Sequence, residues 1–238
     1  MRNMATLGVG LLMAATPVLA QDEDEGPHSL SFTVTGVSDY VFRGVSQTQE
    51  DPALQGAIDY KHESGFYLGV WGSNIDFTPD GADFDDGADL EVDLYGGFRW
   101  SFNDDWSADV NVTRYMYPGT EDGYDYDYNE LIGKLTYRWA TFTLGYSNDV
   151  FNSDEDGIYY QVSGSWSLPY ELTLGAGIGH YDLDDALSDS YTDWSVGLSR
   201  SFGRATVGLT YFDTDSSGED LFGPNADSRV VLSVSFGF

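Results

Sequence analysis

The sequence predicts an all-β protein, a transmembrane antiparallel up-and-down β-barrel of about 12 strands with short periplasmic turns and long acidic extracellular loops. Three observations predict it. Apolar and polar residues alternate through stretch after stretch, the connections between stretches are strictly sorted into short and long, and the chain closes on an alternating strand that ends in an aromatic. In that last strand Val230, Leu232, Val234, Phe236 and Phe238 take every second position, with Arg229, Ser233, Ser235 and Gly237 between them. A strand built this way has one greasy face and one that is mostly small and polar.

The sequence predicts a secretory signal peptide over residues 1–20. Arg2 supplies the positive start, Ala5 to Leu19 the apolar run, and Val18-Leu19-Ala20 the small or modest residues before cleavage ahead of Gln21. Residues 21–28 are expected to form an acidic periplasmic tail, and residues 29–238 a single barrel domain. With 40 Asp+Glu against 10 Lys+Arg, the formal charge of -30 argues against nucleic acid, whose phosphates need a basic surface. The absence of Cys removes disulfides and Cys-based zinc sites. A mean hydropathy of -0.31 is no argument against a membrane, because alternation hides the apolar half of every strand.

The predicted strands run Ser29–Arg43, Ala53–Lys61, Gly65–Ile75, Asp89–Trp100, Asp105–Tyr117, Tyr128–Trp139, Ala140–Asn148, Gly157–Ser167, Tyr170–Tyr181, Tyr191–Phe202, Arg204–Phe212 and Ser228–Phe238. Most reach the nine or so residues that a tilted strand needs to cross a bilayer. The fourth shows the pattern best, with Leu90, Val92, Leu94, Phe98 and Trp100 opposite Asp89, Glu91, Asp93, Tyr95 and Arg99. The eighth repeats it with Ile158, Tyr160, Val162 and Trp166 opposite Tyr159, Gln161, Ser163 and Ser165. A helical period would mix these sets. Only the third stretch has large apolar groups on both faces.

Links after the even strands are minimal: His62-Glu63-Ser64, Phe102-Asn103-Asp104, nothing between Trp139 and Ala140, Leu168-Pro169, and Gly203. Links after odd strands are long, as in 76–88, 118–127 and 213–227. Tight turns on one rim and long loops on the other describe an up-and-down barrel with both termini in the periplasm. Trp100, Trp106, Trp139 and Trp166 sit beside short turns, and Tyr40, Phe42 and Tyr160 near long loops, as two interfacial girdles would require.

Alternation also sorts the charges. Arg43, Lys61, Arg99, Lys134, Arg138, Arg204 and Arg229 point inward, together with Asp59, Asp89, Glu91, Asp93, Asp109 and Glu130, and these are the candidate pore-lining residues. Arg114 and Arg200 point outward near strand ends, within reach of lipid or lipopolysaccharide headgroups. No cation falls mid-stripe on the lipid face, where it would cost roughly 2 to 4 kcal/mol. The lumen is expected to grade from acidic at the long-loop end to basic at the turns. Strands four to six point bulky charged residues and Tyr inward, whereas strands seven to twelve point mostly Ser, Thr and Gly. A charged wall facing a smooth one biases permeation by field and size, and the alternative is a salt-bridge network filling a closed barrel.

Ser38-Asp39-Tyr40-Val41-Phe42-Arg43-Gly44-Val45-Ser46-Gln47-Thr48, then Asp51 to Gly56 and Ser64 to Asn74, resemble the opening of the TorF family of porins. The resemblance implies an outer-membrane barrel and a pore, without naming a solute. The terminal Phe238 is similar to the closing residue of outer-membrane barrels, which implies a partner in the barrel-assembly machinery. The loop acids, such as Asp80, Asp83, Asp85 and Asp86 or Asp182, Asp184, Asp185 and Asp189, could engage divalent cations, but no run has the EF-hand spacing. No cofactor motif stands out. An outer-membrane hydrolase would need a serine beside a histidine, and His180, the one histidine on an outward strand face, is flanked by Tyr160, Thr192 and Trp194 instead.

Overall fold

A computed structural model describes residues 26–78, 86–121 and 123–238. The expected signal peptide, residues 21–25 of the expected tail, and Asp80, Asp83 and Asp85 lie outside the described residues. The strands are β1 (His28–Val37), β2 (Val41–Phe42), β3 (Val45–Ser46), β4 (Ala53–His62), β5 (Phe66–Asn74), β6 (Leu90–Ser101), β7 (Trp106–Met116), β8 (Tyr128–Tyr137), β9 (Ala140–Ser147), β10 (Gly157–Leu168), β11 (Leu172–Asp182), β12 (Tyr191–Phe202), β13 (Ala205–Thr214) and β14 (Arg229–Gly237). Two short helices, α1 (Asp184–Leu187) and α2 (Ser216–Phe222), lie in long loops. No helix among the described residues is long and apolar enough to cross a membrane.

All strands except β2 and β3 form one closed antiparallel barrel in which each pairs with its neighbour in sequence and β1 meets β14. That last pairing sets Thr33 opposite Gly237 and Val37 opposite Ser233. Phe32 and Phe238 exchange backbone hydrogen bonds of 3.1 and 2.9 Å, so the seam runs to the final residue. Closure matters because an open edge leaves a row of unpaired amides, which hydrocarbon cannot satisfy.

The outer face is the apolar one. Leu54, Val162, Ile178, Leu209 and Val230 are each more than half exposed, while the alternate residues Gln55, Gln161, Ser195, Thr210 and Ser235 are buried in the interior. The ambiguous third stretch resolves by register. Trp71 stands opposite Asp93 and Tyr67 opposite Gly97, so both rings point inward, and Phe66, Leu68 and Val70 point outward. Trp100, Trp106 and Trp139 remain substantially exposed at the short-turn rim. There Trp106 packs on Tyr137 with ring centroids 4.6 Å apart, and Trp139 on Trp166 at 5.1 Å.

Eleven strand expectations fall within a few residues of the structure, and the first does not. The predicted Ser29–Arg43 ends at Val37, and His28, assigned above to the tail, begins β1 opposite His62. Two turns also shift. Tyr137 pairs directly with Ala140 and Phe202 with Ala205, so Arg138-Trp139 and Gly203-Arg204 are two-residue hairpin turns. Positive φ at Arg138 (53°) and Gly203 (64°) matches the twist such turns need. Replacing Leu209, central on the outer face of β13, with Arg is expected to lower folding stability in lipid vesicles by roughly 2 to 4 kcal/mol, whereas Thr206→Arg, on the inner face, should change it far less. Urea titration of the refolded proteins reads both.

Candidate functional site

Residues 38–52, which leave the barrel after β1, do not extend into solvent. They fold into the lumen as the hairpin β2–β3, with Val41 opposite Ser46 and Phe42 opposite Val45. The two residues between are Arg43 and Gly44, with φ of 49° and 84°, the double positive φ of a type I′ turn. Gly44 is at home there, and it also lies so close to Asp193 and Thr214 that a Cβ would sit 2.8 and 2.7 Å from their side chains. Arg43 is not at home, since a non-glycine residue in this region costs on the order of 1 to 3 kcal/mol. Its side chain explains why the conformation holds.

The Arg43 side chain is 7 % exposed, and its guanidinium donates through Nη2 to both oxygens of Glu130, at 2.6 and 2.8 Å. It lies over the rings of Tyr159, Tyr181 and its own neighbour Phe42, at 4.2, 4.4 and 4.7 Å from their centroids. Tyr115 donates to the same carboxylate at 3.1 Å, and the Tyr191 hydroxyl donates to the Arg43 carbonyl at 3.0 Å. Nη1 is buried without a hydrogen-bond partner. A Cβ on Gly145 of β9 would come within 2.5 Å of Glu130, so the absence of a side chain there makes room for the pair.

The hairpin is anchored again at its base. Asp39 accepts from Ser46 at 2.6 Å, from Thr48 at 3.1 Å and from Arg229 Nη1 of β14 at 2.8 Å. Around both anchors an aromatic core fills the long-loop half of the lumen: Tyr115 stacks on Tyr128 at 4.5 Å, and Tyr181 meets Tyr159, Tyr191 and Phe151 edge-on or tilted. Val45, Ile75 and Leu183 are buried in the same cluster. In the loops above, burial and a hydrogen bond to Asp86 push the Tyr126 hydroxyl up to about 12, so it stays a donor at neutral pH.

Below this plug the lumen has two unlike walls. On β4 to β8, Tyr95 donates to Asp59 at 2.7 Å, and Asp109 accepts from Tyr67 at 2.7 Å and Arg99 at 3.0 Å. Lys134 stands opposite Asp109 in register. On β9 to β14 the inward residues are short, among them Thr141, Thr143, Ser163, Ser165, Gly175, Gly177, Ser195 and Ser233.

Several expected positions are corrected. Arg43 is in the plug rather than on a strand wall, and Tyr40 and Phe42 are plug residues rather than girdle. Arg138 and Arg204 occupy exposed turns, where Arg138 pairs with Asp105 at 2.9 Å and, through that bond first, holds its carboxyl below the ordinary range. Asp89 precedes β6 and is exposed. The lumen face carries Asp59, Lys61, Glu91, Asp93, Arg99, Asp109, Glu130, Lys134 and Arg229. The expected acid-to-base gradient is broken at the long-loop end, where Arg43 and Arg229 offset Glu130 and Asp39. Sequence reasoning did not bring Asp39, Asp193 and the inward Tyr115, Tyr128, Tyr159, Tyr181 and Tyr191 together at one site. The available signal was their shared polar-face parity at one rim of five strands.

The Nδ1 atom of His180 is 3.0 Å from the Thr192 hydroxyl, and its ring tilts against Tyr160. Among the described residues, no three His, Cys, Asp or Glu side chains converge where a metal ion could be held.

The structure defines a closed antiparallel barrel with an apolar exterior and a polar interior. The chain belongs to a family described as a bacterial protein of unknown function (Gcw_chp), whose model matches residues 21–235. That description carries neither a solute nor the TorF name. No curated protein matches the chain in sequence. Among solved structures it is similar to the KdgM porin, with a TM-score of 0.54 and 10 % identity over 87 % of this chain and 99 % of that one. The NanC porin is similar at 0.54 and 10 %, over 87 % and 98 %. An outer-membrane channel from Pseudomonas putida F1 is similar at 0.52 and 13 %, over 88 % and 95 %. At these identities the likeness establishes the fold.

Removing one partner of a buried ion pair costs about 3 to 5 kcal/mol because it strands the other charge. Glu130→Ala is therefore expected to loosen the plug, seen as faster proteolysis within residues 38–52 and a lower unfolding midpoint, while Asp105→Ala, at the exposed turn pair, should leave both unchanged.

Proposed function

We propose that this protein is an outer-membrane, porin-like channel for the passive diffusion of small hydrophilic solutes and ions, with a weak cation preference and no catalytic activity. The segregation of side chains carries the reading: a lipid-compatible skin, a polar interior, and a wall of Ser, Thr and Gly facing a wall of charge. A barrel built only as a filled scaffold has no reason to leave one inner wall without bulk. The TorF-like opening supports the same reading, as do the solved neighbours described as porins. Signal peptide, sorted loops and termini on the short-turn side support an outer-membrane location, with lipopolysaccharide around the skin and the assembly machinery engaging the strand that ends at Phe238.

The cation preference rests on the field. The long loops are acidic, so cations concentrate at the entrance at low salt. One solved neighbour is the KdgM porin in complex with disordered oligogalacturonate, a polyanion. The acidic vestibule here opposes such a cargo. The loop acids act as a diffuse, solvated rim, with divalent cations exchanging there loosely.

A second reading, a closed recognition barrel acting through its loops, draws on the plug itself. Planar-bilayer recording separates the two: the channel predicts measurable conductance and, under a KCl gradient, a reversal potential of the sign for cation selectivity. Silence at all salts and voltages would favour the closed barrel, and an anion-selective potential would sink the preference.

A further inference from the structure

We propose that the lumen wall gripping Arg43 is a binding site for guanidinium-bearing solutes, and that Arg43 occupies it as a tethered stand-in which those solutes displace. The inference rests on the channel reading and names a substrate class for it. Glu130 on β8 supplies a carboxylate that is 1 % exposed, and Tyr159 on β10 and Tyr181 on β11 supply the ring faces. Asp193 on β12, also buried, accepts from Tyr159 at 3.1 Å and lies against Gly44. All four belong to barrel strands, so the site survives when residues 38–52 move.

Three features mark Arg43 as an imperfect occupant. It sits at a positive φ that arginine disfavours, at the tip of a turn where Gly or Asn would serve the hairpin better. It offers Glu130 only Nη2, short of the fork-to-fork geometry that a guanidinium and a carboxylate prefer. Its Nη1 is buried and unsatisfied. The base of the hairpin is held separately, by Val45 and the Asp39–Arg229 pair, so that its tip is the part that depends on Arg43. A free guanidinium carries no turn, can rotate in plane to use both nitrogens, and keeps the stacking on the two rings. A rounded ammonium lacks the planar fork and is the poorer fit. Displacement frees the tip of the hairpin, whose base stays anchored by the Asp39–Arg229 pair, and widens the long-loop half of the lumen, so the solute opens its own path.

Methylguanidinium is the probe and tetramethylammonium, which donates no hydrogen bond, the control. In bilayers, methylguanidinium should lengthen openings of the wild-type channel beyond the effect of equal sodium, and tetramethylammonium should not. Arg43→Gly strands the Glu130 charge, so the hairpin tip is expected to loosen and the unfolding midpoint to fall as in Glu130→Ala; the barrel strands are unchanged, and the variant should conduct without the probe. In detergent, measured by calorimetry, it should bind methylguanidinium about tenfold more tightly than wild type, the scale of one charge-assisted hydrogen bond no longer contested. Adding Glu130→Gln to Arg43→Gly should abolish that binding. Equal affinity in all three proteins, or equal response to the two cations, would overturn the site. Tighter binding by Arg43→Gly with no current from either protein would uphold the site and overturn the channel.

Discussion

Because hydrocarbon offers no partner for a free amide, the pairing of β1 with β14 is the constraint from which the other features descend. Once the sheet is closed, each strand has one face toward acyl chains and one toward the bore, and the period of two assigns every side chain to a medium. The backbone seam reaches Phe238, so even the final carbonyl is paired. Charge can then be placed only inside, in turns, or at the rims, and that is where the described cations are found. Arg114 and Arg200, the outward ones, are near strand ends and paired with Asp127 and Glu171.

Closure creates a second problem, an interior that is too wide to fill with wall residues alone. The protein solves it unevenly. At the long-loop end a segment of its own chain enters and builds a core like that of a soluble protein, with stacked tyrosines and two buried ion pairs. At the short-turn end the space is left to an Asp109-centred network on one wall and small hydroxyls on the other. Burying the Arg43 charge is unfavourable in itself. Glu130, two tyrosine faces and a hydroxyl on the Arg43 carbonyl offset that cost together, which ties the hairpin's position to several strands at once.

The strands were legible because alternation and loop sorting are local, repeated signals, and each strand has only two choices of face. The plug was not, because the pattern of β1 runs on through it: Val37, Asp39, Val41 and Arg43 keep one parity and Ser38, Tyr40 and Phe42 the other. Alternation cannot distinguish a strand that continues toward solvent from one that turns back into the bore. The informative residue was Gly44, flanked by Val41-Phe42 and Val45, a turn signal that outranks parity. The same logic moved Arg138 and Arg204 out of the lumen, since two-residue turns consume positions that a running alternation assigns to a wall.

Residues 38–48 ask more of the sequence than the barrel strands do. A barrel strand asks for pattern more than identity, so many residues can exchange on either face without disturbing closure. The hairpin asks for identity: a glycine that can approach Asp193, a guanidinium that reaches Glu130 between two rings, and an Asp39 that accepts three donors. Arg43 meanwhile joins the charged wall, through Glu130 on β8, to the smooth wall, through Tyr159 and Tyr181 on β10 and β11. A single contact thus joins both walls, and in the channel proposed above a change in its occupancy acts on the bore from both sides.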